Sequence, residues 1–383
     1  MRKNLGVPEM DLSEIRLQLD ECDKELVALY EHRMKLAEEV AKTKLESGKA
    51  VLDKDREKAK LASVAASVEN KEFEGGAREM FKLLMSMSRK LQYKKLLESG
   101  RHINIPFIPV GDIREGSPRV VFQGDEGAYS QLAMKKFFGD DVDSIHVPTF
   151  RAAMCAIAEG SADYAVLPIE NSTAGIVSEI YDLLAEYENY IVGEQVLRIE
   201  HCLMGVKGAK LEDIKTVFSH PQSLMQSARY LDEHDWKQIS MPNNAFAANK
   251  VSKEGDKSQA AIASELAAQI YGLDILEKGV NSAENNSTRF IIVTGQKVYR
   301  ENAGKISICF EVTHESGSLY NCLGHFIFNG LNITKIESRP IEGRTWEYRF
   351  FLDFDGNLSD PAVRCALTGL REEAKYLRVL GNY

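Results

Sequence analysis

The chain has 383 residues, 44% hydrophobic and 27% charged, with a formal net charge of −9. That length suggests two or three domains with ample core. The acidic balance without a basic tract argues against a nucleic-acid partner and against a polybasic membrane-surface segment.

Leu12, Ile15, Leu19, Cys22, Leu26, Leu29, Arg33, Leu36 and Val40 recur at alternating gaps of 3 and 4 with no Pro or Gly between them. That spacing predicts one long helix over Leu12–Ser47. Such a helix spans about 54 Å, wider than a domain of about 100 residues whose radius of gyration is only about 13 Å. Its seam therefore needs an equally long cover, most simply a second copy of itself. Arg33 falls on the seam. A guanidinium in a dry interface is costly when unpaired, so it meets either a carboxylate of the protein or a ligand. Lys44 points the same way about 16 Å along the axis, and both side chains can converge on one small anion. Arg16 lies about 25 Å from Arg33 on a different face, so it serves such a site only from a partner chain.

Gly48 breaks this helix, and Asp53-Lys54-Asp55-Arg56-Glu57 opens a second one, its acids suited to the first turn. Asp53, Arg56 and Glu57 share a face, which alone reads equally as a solvated, salt-bridged turn. Gly75-Gly76 are expected to separate a third helix whose stripe is Ala77, Phe81, Leu84, Ser88 and Leu91. Ser88 interrupts the apolar face, and Gln92 lies one turn on. The set Arg16, Arg33, Lys44, Asp53, Arg56, Glu57, Ser88 and Gln92 resembles the all-helical chorismate mutase family, as found at the N-terminus of bacterial bifunctional P-proteins. The resemblance implies a domain-swapped dimer. Arg33 and the partner's Arg16 would hold substrate carboxylates, Lys44 and Gln92 the ether oxygen, and Asp53 and Glu57 the ring hydroxyl, with Arg56 and Ser88 lining the pocket. Chorismate rearranges without nucleophile or proton transfer. Holding a dianion in its reactive conformer and aiming donors at the oxygen that gains charge is what such residues supply.

Arg101–Pro118 holds three Pro and two Gly, lacks a helix or strand period, and reads as a linker. From Arg119 to about Gly295, short apolar runs (Val120–Gln123, Tyr164–Leu167, Thr216–Ser219, Ala260–Ala263, Phe290–Thr294) alternate with helical stretches (Ser130–Phe138, Phe150–Glu159, Ser178–Tyr187, Pro221–Glu233, Asn243–Ser252, Glu265–Tyr271). The alternation predicts an α/β region with mostly parallel sheets, as one domain or two lobes around a cleft. Three strand-to-helix turns carry hydroxyls and amides: Gly124–Ser130, Pro168–Gly175 and Ser219–Gln222. Taken singly each reads as helix capping; together at strand ends they suit a ligand. No G-K-[ST] or G-x-G-x-x-G is present. His220 reads as a turn residue. In the run Asn286–Phe290, strand alternation puts Thr288 and Phe290 on one face and Arg289 on the other.

The Gly-x-x-Gly-x-Tyr-Ser turn, Pro-Ile-Glu-Asn-Ser, Ser-His-Pro-Gln and Thr-Arg-Phe, in that order, resemble prephenate dehydratase. The resemblance implies two lobes like a type II periplasmic binding protein. It makes Thr288 the group that protonates or polarises the leaving hydroxyl, with Arg289 and Phe290 shaping the pocket and Ser130, Glu170, Asn171, Ser172, Ser219 and Gln222 as its other walls.

The last 80 residues read β-α-β-β-α-β, a ferredoxin-like plait: strand Lys305–His314, helix Ser318–Phe328, strands Asn332–Ile341 and Trp346–Phe354, helix Asp360–Tyr376 and strand Leu377–Leu380. Gly317-Ser318-Leu319 and Glu337-Ser338-Arg339-Pro340 resemble the two phenylalanine-binding motifs of the ACT domain. The family's first motif commonly reads Gly-Ala-Leu-Val, and here Tyr320 stands in the Val position.

The expected architecture is thus multidomain: an all-α dimeric mutase domain (1–100), a linker (101–118), an α/β dehydratase domain (119–297) and an α+β ACT domain (304–383). The expected partners are chorismate, prephenate and, as feedback inhibitor, phenylalanine, in a homodimer or higher homo-oligomer without nucleic acid or membrane. No cofactor or metal is expected, since the eight His show no H-x-x-x-H pair. Cys22, Cys155, Cys202, Cys309, Cys322 and Cys365 form no C-x-x-C and read as free thiols of a cytoplasmic protein. No stretch approaches about 18 apolar residues, and Met1–Asn4 lead into no apolar run, so no signal peptide is expected. The competing readings are an arogenate dehydratase and a non-catalytic small-molecule sensor.

Overall fold

A computed structural model describes residues 11–100, 104–114, 116–283 and 285–383. The N-terminal stretch read for a signal peptide lies outside them, as do residues 101–103 and 115 of the linker. The chain opens with α1 (Leu12–Ser47), α2 (Lys54–Ser67) and α3 (Glu74–Glu98). There follow β1 (Ile108–Val110), β2 (Val120–Gln123), α4 (Tyr129–Phe138), β3 (Ser144–Val147), α5 (Phe150–Ala158), β4 (Tyr164–Asn171), β5 (Gly175–Ile176), α6 (Ser178–Glu186) and β6 (Tyr190–Arg198). Next come β7 (Cys202–Gly205), β8 (Thr216–Ser219), α7 (Pro221–Gln226), α8 (Ala228–Leu231), β9 (Lys237–Ser240), α9 (Asn244–Glu254), β10 (Gln259–Ala263), α10 (Glu265–Tyr271), β11 (Asp274–Lys278) and β12 (Ser287–Thr294). The chain closes with β13 (Val298–Arg300), β14 (Lys305–Glu311), α11 (Ser318–Phe328), β15 (Ile333–Pro340), β16 (Tyr348–Asp355), α12 (Pro361–Glu373) and β17 (Tyr376–Asn382).

Two compact units result. One holds α1, α2, α3, α11 and α12; the other holds the sheets and the remaining helices.

In the helical unit, α1 ends where Gly48 takes the left-handed conformation at φ 68°, as a residue without Cβ does most cheaply. Asp53 caps α2, its side chain accepting from the Arg56 N–H at 3.0 Å. The break before α3 is not at Gly75-Gly76. Those two lie in its first turn, and a short 3-10 turn over Lys71–Phe73, capped by Asn70, precedes it. The face that α1 buries within the chain carries Ala37 and Ala41. It lies one residue, hence about 100°, round from the seam read in the sequence. The seam itself (Leu12, Ile15, Leu19, Leu26, Leu29, Leu36, Val40) is exposed.

Helix α3 packs on α1 and α2 and also on α11 and α12. Two glycines permit that approach. A Cβ on Gly369 would run into the His325 ring and come within 3.0 Å of Tyr93 Cδ2, and one on Gly324 would meet Lys90 Nζ.

In the other unit, one sheet has the order β15-β16-β14-β17-β6-β12-β4-β2-β3, with β5 beside β4, and a second has the order β11-β7-β10-β8-β9. The sheets are mixed rather than mostly parallel. The pairs β2–β3, β2–β4, β8–β9 and β8–β10 are parallel, whereas β12 runs antiparallel to β4 and β6, and β7 antiparallel to β10 and β11. The chain builds the first sheet through β6, crosses to the second, and returns as β12. Ala165, Val166, Leu167, Ile291, Ile292 and Val293 are fully buried on β4 and β12, because apolar clusters cover both faces there. The linker contains one strand that periodicity missed: β1 pairs in parallel with β13. The helix expected over Pro221–Glu233 is two short ones, α7 and α8, meeting at Ser227. After β14 the order β14-α11-β15-β16-α12-β17 matches the sequence reading, and β15-β16-β14-β17 is the strand order of the plait.

Replacing Gly369 by Ala is expected to cost about 1–3 kcal/mol by overpacking. Gly76→Ala, with nothing within 4 Å of its Cβ, is expected to stabilise by about 0.5–1 kcal/mol. Thermal unfolding of the two variants against the parent measures both signs.

Candidate functional site

Two constellations stand out. In the helical unit, Ser88 and Gln92 lie one turn apart on α3 and are both buried. Arg33 reaches across from α1; its Nη1 donates to Leu84 O at 2.9 Å and to Ser88 Oγ. Among the described residues the guanidinium therefore hydrogen-bonds to a carbonyl and a hydroxyl rather than to a carboxylate. Lys44 Nζ donates to Val51 O at 2.5 Å. Burial pulls both cations below their ordinary values, outweighing Glu57 and Tyr30 at Arg33 and Asp53, Glu372 and Glu57 at Lys44. Gln92 Oε1 is buried and finds no hydrogen-bond partner among the described residues. Glu57 pairs with Arg89, a residue the sequence reading passed over. Asp53 and Arg56 are exposed at the start of α2, and Arg16 is exposed on the N-terminal part of α1. Within one chain Arg16 is thus not gathered with the others. Partly buried cations short of carboxylate suit an anionic ligand.

In the sheet unit, a cavity of about 520 Å³ opens between the two sheets. Ser130, Asn171, Gln222, Thr288 and Phe290 line it. Asn171 Nδ2 donates to Thr288 Oγ1 at 2.8 Å, and β4 and β12 pair these two residues in register. A Thr288 oxygen that accepts from Asn171 keeps its own proton for a ligand.

Glu170, Ser172, Ser219 and Arg289, expected as walls, do not line the cavity. Strand alternation turns Glu170 and Arg289, paired in the same ladder, to the opposite face. There Arg289 is ion-paired with Asp353 at 3.1 Å, Glu170 at 3.3 Å and Glu194 at 3.4 Å. Lys335 also pairs with Glu170. Burial opposes the Arg289 charge, but Tyr383, Asp353 and Glu194 hold it above its ordinary value. Ser219 is fully buried and donates to Ile262 O at 2.6 Å. Ser172 Oγ donates to Asn285 O at 3.0 Å and accepts from the Ser287 N–H at 2.9 Å, tying β4 to β12.

Tyr129, His201 and Gln226 also line the cavity and were not singled out from sequence. Tyr129 stood in a quoted turn; His201 and Gln226 belong to no quoted motif. They form a chain: Tyr129 Oη to His201 Nδ1 at 2.8 Å, His201 Nε2 to Gln226 Oε1 at 3.0 Å, and Gln226 Nε2 donating to Asn171 Oδ1 at 3.3 Å. Burial lowers the His201 pKa and raises that of Tyr129, keeping both neutral. His220 caps α7, its Nδ1 accepting from the Gln222 N–H at 3.2 Å. Of the motifs near the C-terminus, Gly317 takes the left-handed conformation before α11, Ser318 Oγ lies 3.0 Å from Thr313 Oγ1, and Leu319 follows on the helix. Glu337, Ser338, Arg339 and Pro340 lie on β15, where Arg339 pairs with Asp182 at 2.6 Å.

A helical cluster of under-compensated cations and a separate cleft with a positioned hydroxyl are what an enzyme with two sites would present. Known sequences agree. The chorismate mutase type II family matches residues 15–93, and the prephenate dehydratase family residues 120–298. A bifunctional chorismate mutase/prephenate dehydratase from Pseudomonas aeruginosa is 32% identical over 97% of each chain. An arogenate dehydratase/prephenate dehydratase from Arabidopsis thaliana is 39% identical over 69% of this chain and 71% of its own. The crystal structure of a prephenate dehydratase in complex with L-Phe, from Arthrobacter aurescens, superposes with a TM-score of 0.65 at 30% identity, covering 69% of this chain and 89% of that one. The chain belongs to the bifunctional chorismate mutase/prephenate dehydratase family. It rearranges chorismate to prephenate and converts prephenate to phenylpyruvate in phenylalanine biosynthesis, so the non-catalytic sensor reading falls away.

Because Arg289 neutralises buried carboxylates rather than touching the cleft, Arg289→Met is expected to lower stability by about 3–5 kcal/mol. Chemical denaturation with and without the substitution measures the loss.

Proposed function

We propose that the enzyme acts as a homodimer whose mutase sites each combine two chains, that Thr288 is the group assisting hydroxide loss in the cleft, and that phenylalanine binds a C-terminal ACT domain to inhibit it. The domain bounds in this reading are 1–100, 119–297 and 304–383. The observation that carries it is the Asn171–Thr288 pair on the cavity wall, opposite in chemistry to the cationic helical site.

For the mutase, Arg33 and the partner's Arg16 hold the two carboxylates, and Lys44 and Gln92 bond the ether oxygen. Asp53 and Glu57 take the ring hydroxyl, with Arg56 and Ser88 lining the pocket. The C–O bond breaks as the C–C bond forms, and no proton moves. The stabilisation comes from donors aimed at the oxygen that gains charge. The exposed seam of α1 supports the dimer, since about half or more of Leu12, Leu19, Leu29 and Leu36 faces solvent within one chain (59%, 57%, 65% and 54%). Such a contiguous apolar face marks an interface.

For the dehydratase, the ring carboxylate leaves as CO₂ and its bonding pair enters the ring. The opposite C–O bond breaks, and the hydroxyl departs as water with a proton from Thr288, replaced from solvent. Ser130, Asn171, Gln222 and Phe290 shape the cleft in a two-lobed, type II periplasmic-binding-protein-like fold. The ACT reading rests on the strand order and on Gly317–Leu319 and Glu337–Pro340 as phenylalanine contacts. That a relative crystallised with L-Phe supports it. The six free thiols fit a reducing cytoplasm, and no helix among the described residues is long and apolar enough to cross a membrane.

Mixing tests the shared site: Arg16→Ala and Arg33→Ala chains, each inactive as a mutase, are expected to regain activity as heterodimers. No recovery in verified heterodimers overturns the trans role. An assay supplying chorismate, with and without phenylalanine, tests the rest. Phenylpyruvate formation suppressed by phenylalanine and lost in Thr288→Ala, by about 10²–10⁴-fold, is the expected result. Prephenate accumulating unconverted points instead to arogenate, the activity named in the Arabidopsis relative.

A further inference from the structure

Helix α12 ends in two consecutive acids, Glu372 and Glu373. Carboxylates there oppose the helix dipole, whose C-terminal end is negative, so their own helix does not favour them. Their partners lie on the mutase helices instead. Glu373 Oε1 accepts from Arg89 Nε at 2.8 Å and lies 3.2 Å from His325 Nε2. Arg89, only 6% exposed, turns Nη1 to Glu57 Oε1. Glu372 Oε2 accepts from the Val51 N–H at 3.1 Å and from Tyr93 Oη at 3.2 Å. The carbonyl of that same Val51 accepts from Lys44. Each acid is therefore one intermediary away from a residue of the mutase site: Glu373 through Arg89 to Glu57, and Glu372 through the Val51 residue to Lys44.

Both links run on the back of the site. Ser88 and Gln92 share one face of α3, while Arg89 and Tyr93, each one residue on, share the face that meets α12. Burial works against the Arg89 charge, but Glu373 and Glu57 hold it above its ordinary value. A guanidinium so enclosed needs both carboxylates. If Glu373 withdraws, Arg89 draws harder on Glu57 and takes it from its place.

We propose that Arg89, Glu372 and Glu373 are positioning residues for the chorismate rearrangement, the paired acids of α12 setting Glu57 and Lys44 in their working positions. The proposal rests on the assignment of Glu57 and Lys44 to the mutase site made above. Because α12 belongs to the segment read as the ACT domain, an effector that shifts α12 acts on both links at once. Coupling between distinct sites by this route requires that the helix take a second arrangement when the effector binds.

The test uses the full-length enzyme with Glu372→Gln, Glu373→Gln, Arg89→Met and the double variant Arg89→Met/Glu373→Gln. Mutase kinetics on chorismate and dehydratase kinetics on supplied prephenate are read separately. Each single variant is expected to lose mutase kcat/KM about 10- to 100-fold, the cost of a small misplacement, while dehydratase turnover holds. The double variant is expected to lose no more than Arg89→Met alone, as links of one chain do.

A pH profile separates positioning from support. Lys44 faces Asp53, Glu57 and Glu372, which favour its charge, and Arg89, which opposes it. Removing the Glu372 charge lowers the Lys44 pKa further. Since the protonated amine is the active form, the alkaline limb of mutase kcat/KM moves to lower pH by more in Glu372→Gln, which removes a charge facing Lys44, than in Glu373→Gln, which reaches Lys44 only through the displaced Glu57. Unchanged mutase kinetics in the acid variants overturn the proposal. So does a parallel loss of both activities with a lowered unfolding midpoint, which is a purely structural role. If Lys44→Ala and Glu57→Ala also keep full mutase activity, the site reading itself is wrong; if they lose it, only the role of α12 falls.

Discussion

A guanidinium taken out of water must keep its carboxylates, and the chain uses that constraint twice. Arg89 follows Ser88 on a helix, and Arg289 follows Thr288 on a strand. In each case the first residue faces a reactive space and the second turns away, by about 100° on the helix and to the opposite face on the strand. Behind Ser88 stands Arg89 between Glu57 and Glu373, and behind Thr288 stands Arg289 among Asp353, Glu194 and Glu170. The reactive faces are thus carried on elements whose rear surfaces are locked by buried charge.

The same electrostatics separates structural cations from those proposed to hold the substrate. Arg89 and Arg289 are held above their ordinary pKa because carboxylates outweigh their burial. Arg33 and Lys44 are pulled below theirs because nothing nearby does. Arginines on one three-helix scaffold therefore sort by what compensates them. Those already satisfied hold the frame, and those left short suit a dianion whose arrival supplies the missing charge. The dehydratase cleft follows another logic. His201 and Tyr129 are neutral, and the chemistry there asks for one oriented hydroxyl while the departing carboxylate drives the electrons.

Much of this was legible in the chain. The bounds of α1 follow from unbroken 3-4 spacing and a terminal glycine, and alternation alone turned Arg289 from Thr288. What was hidden depends on distance or on context. Gly75-Gly76 looked like a break, yet the roughly 1 kcal/mol that each glycine costs in a helix is outweighed where the rest of α3 packs on its neighbours. Arg33 looked destined for an anion, but only the fold brings Leu84 O and Ser88 within its reach. Glu170 and Ser219 sat in persuasive motifs; the first answers to Arg289 and Lys335 and the second to a carbonyl of β10, neither visible locally. His201 joins the cleft through Tyr129 and Gln226, from three separate segments. Glu372 and Glu373 carry no local signal, because their partners lie some 280 to 320 positions earlier.

The bare seam of α1 also has a history within each molecule's lifetime. Domains fold in order as synthesis proceeds from the N-terminus, so α1 leaves the ribosome long before α11 and α12, which pack on α3, have been made. Its apolar edge stands in water until something covers it. In the proposed dimer that cover is a second chain, so the protection of the seam depends on the concentration of its own kind.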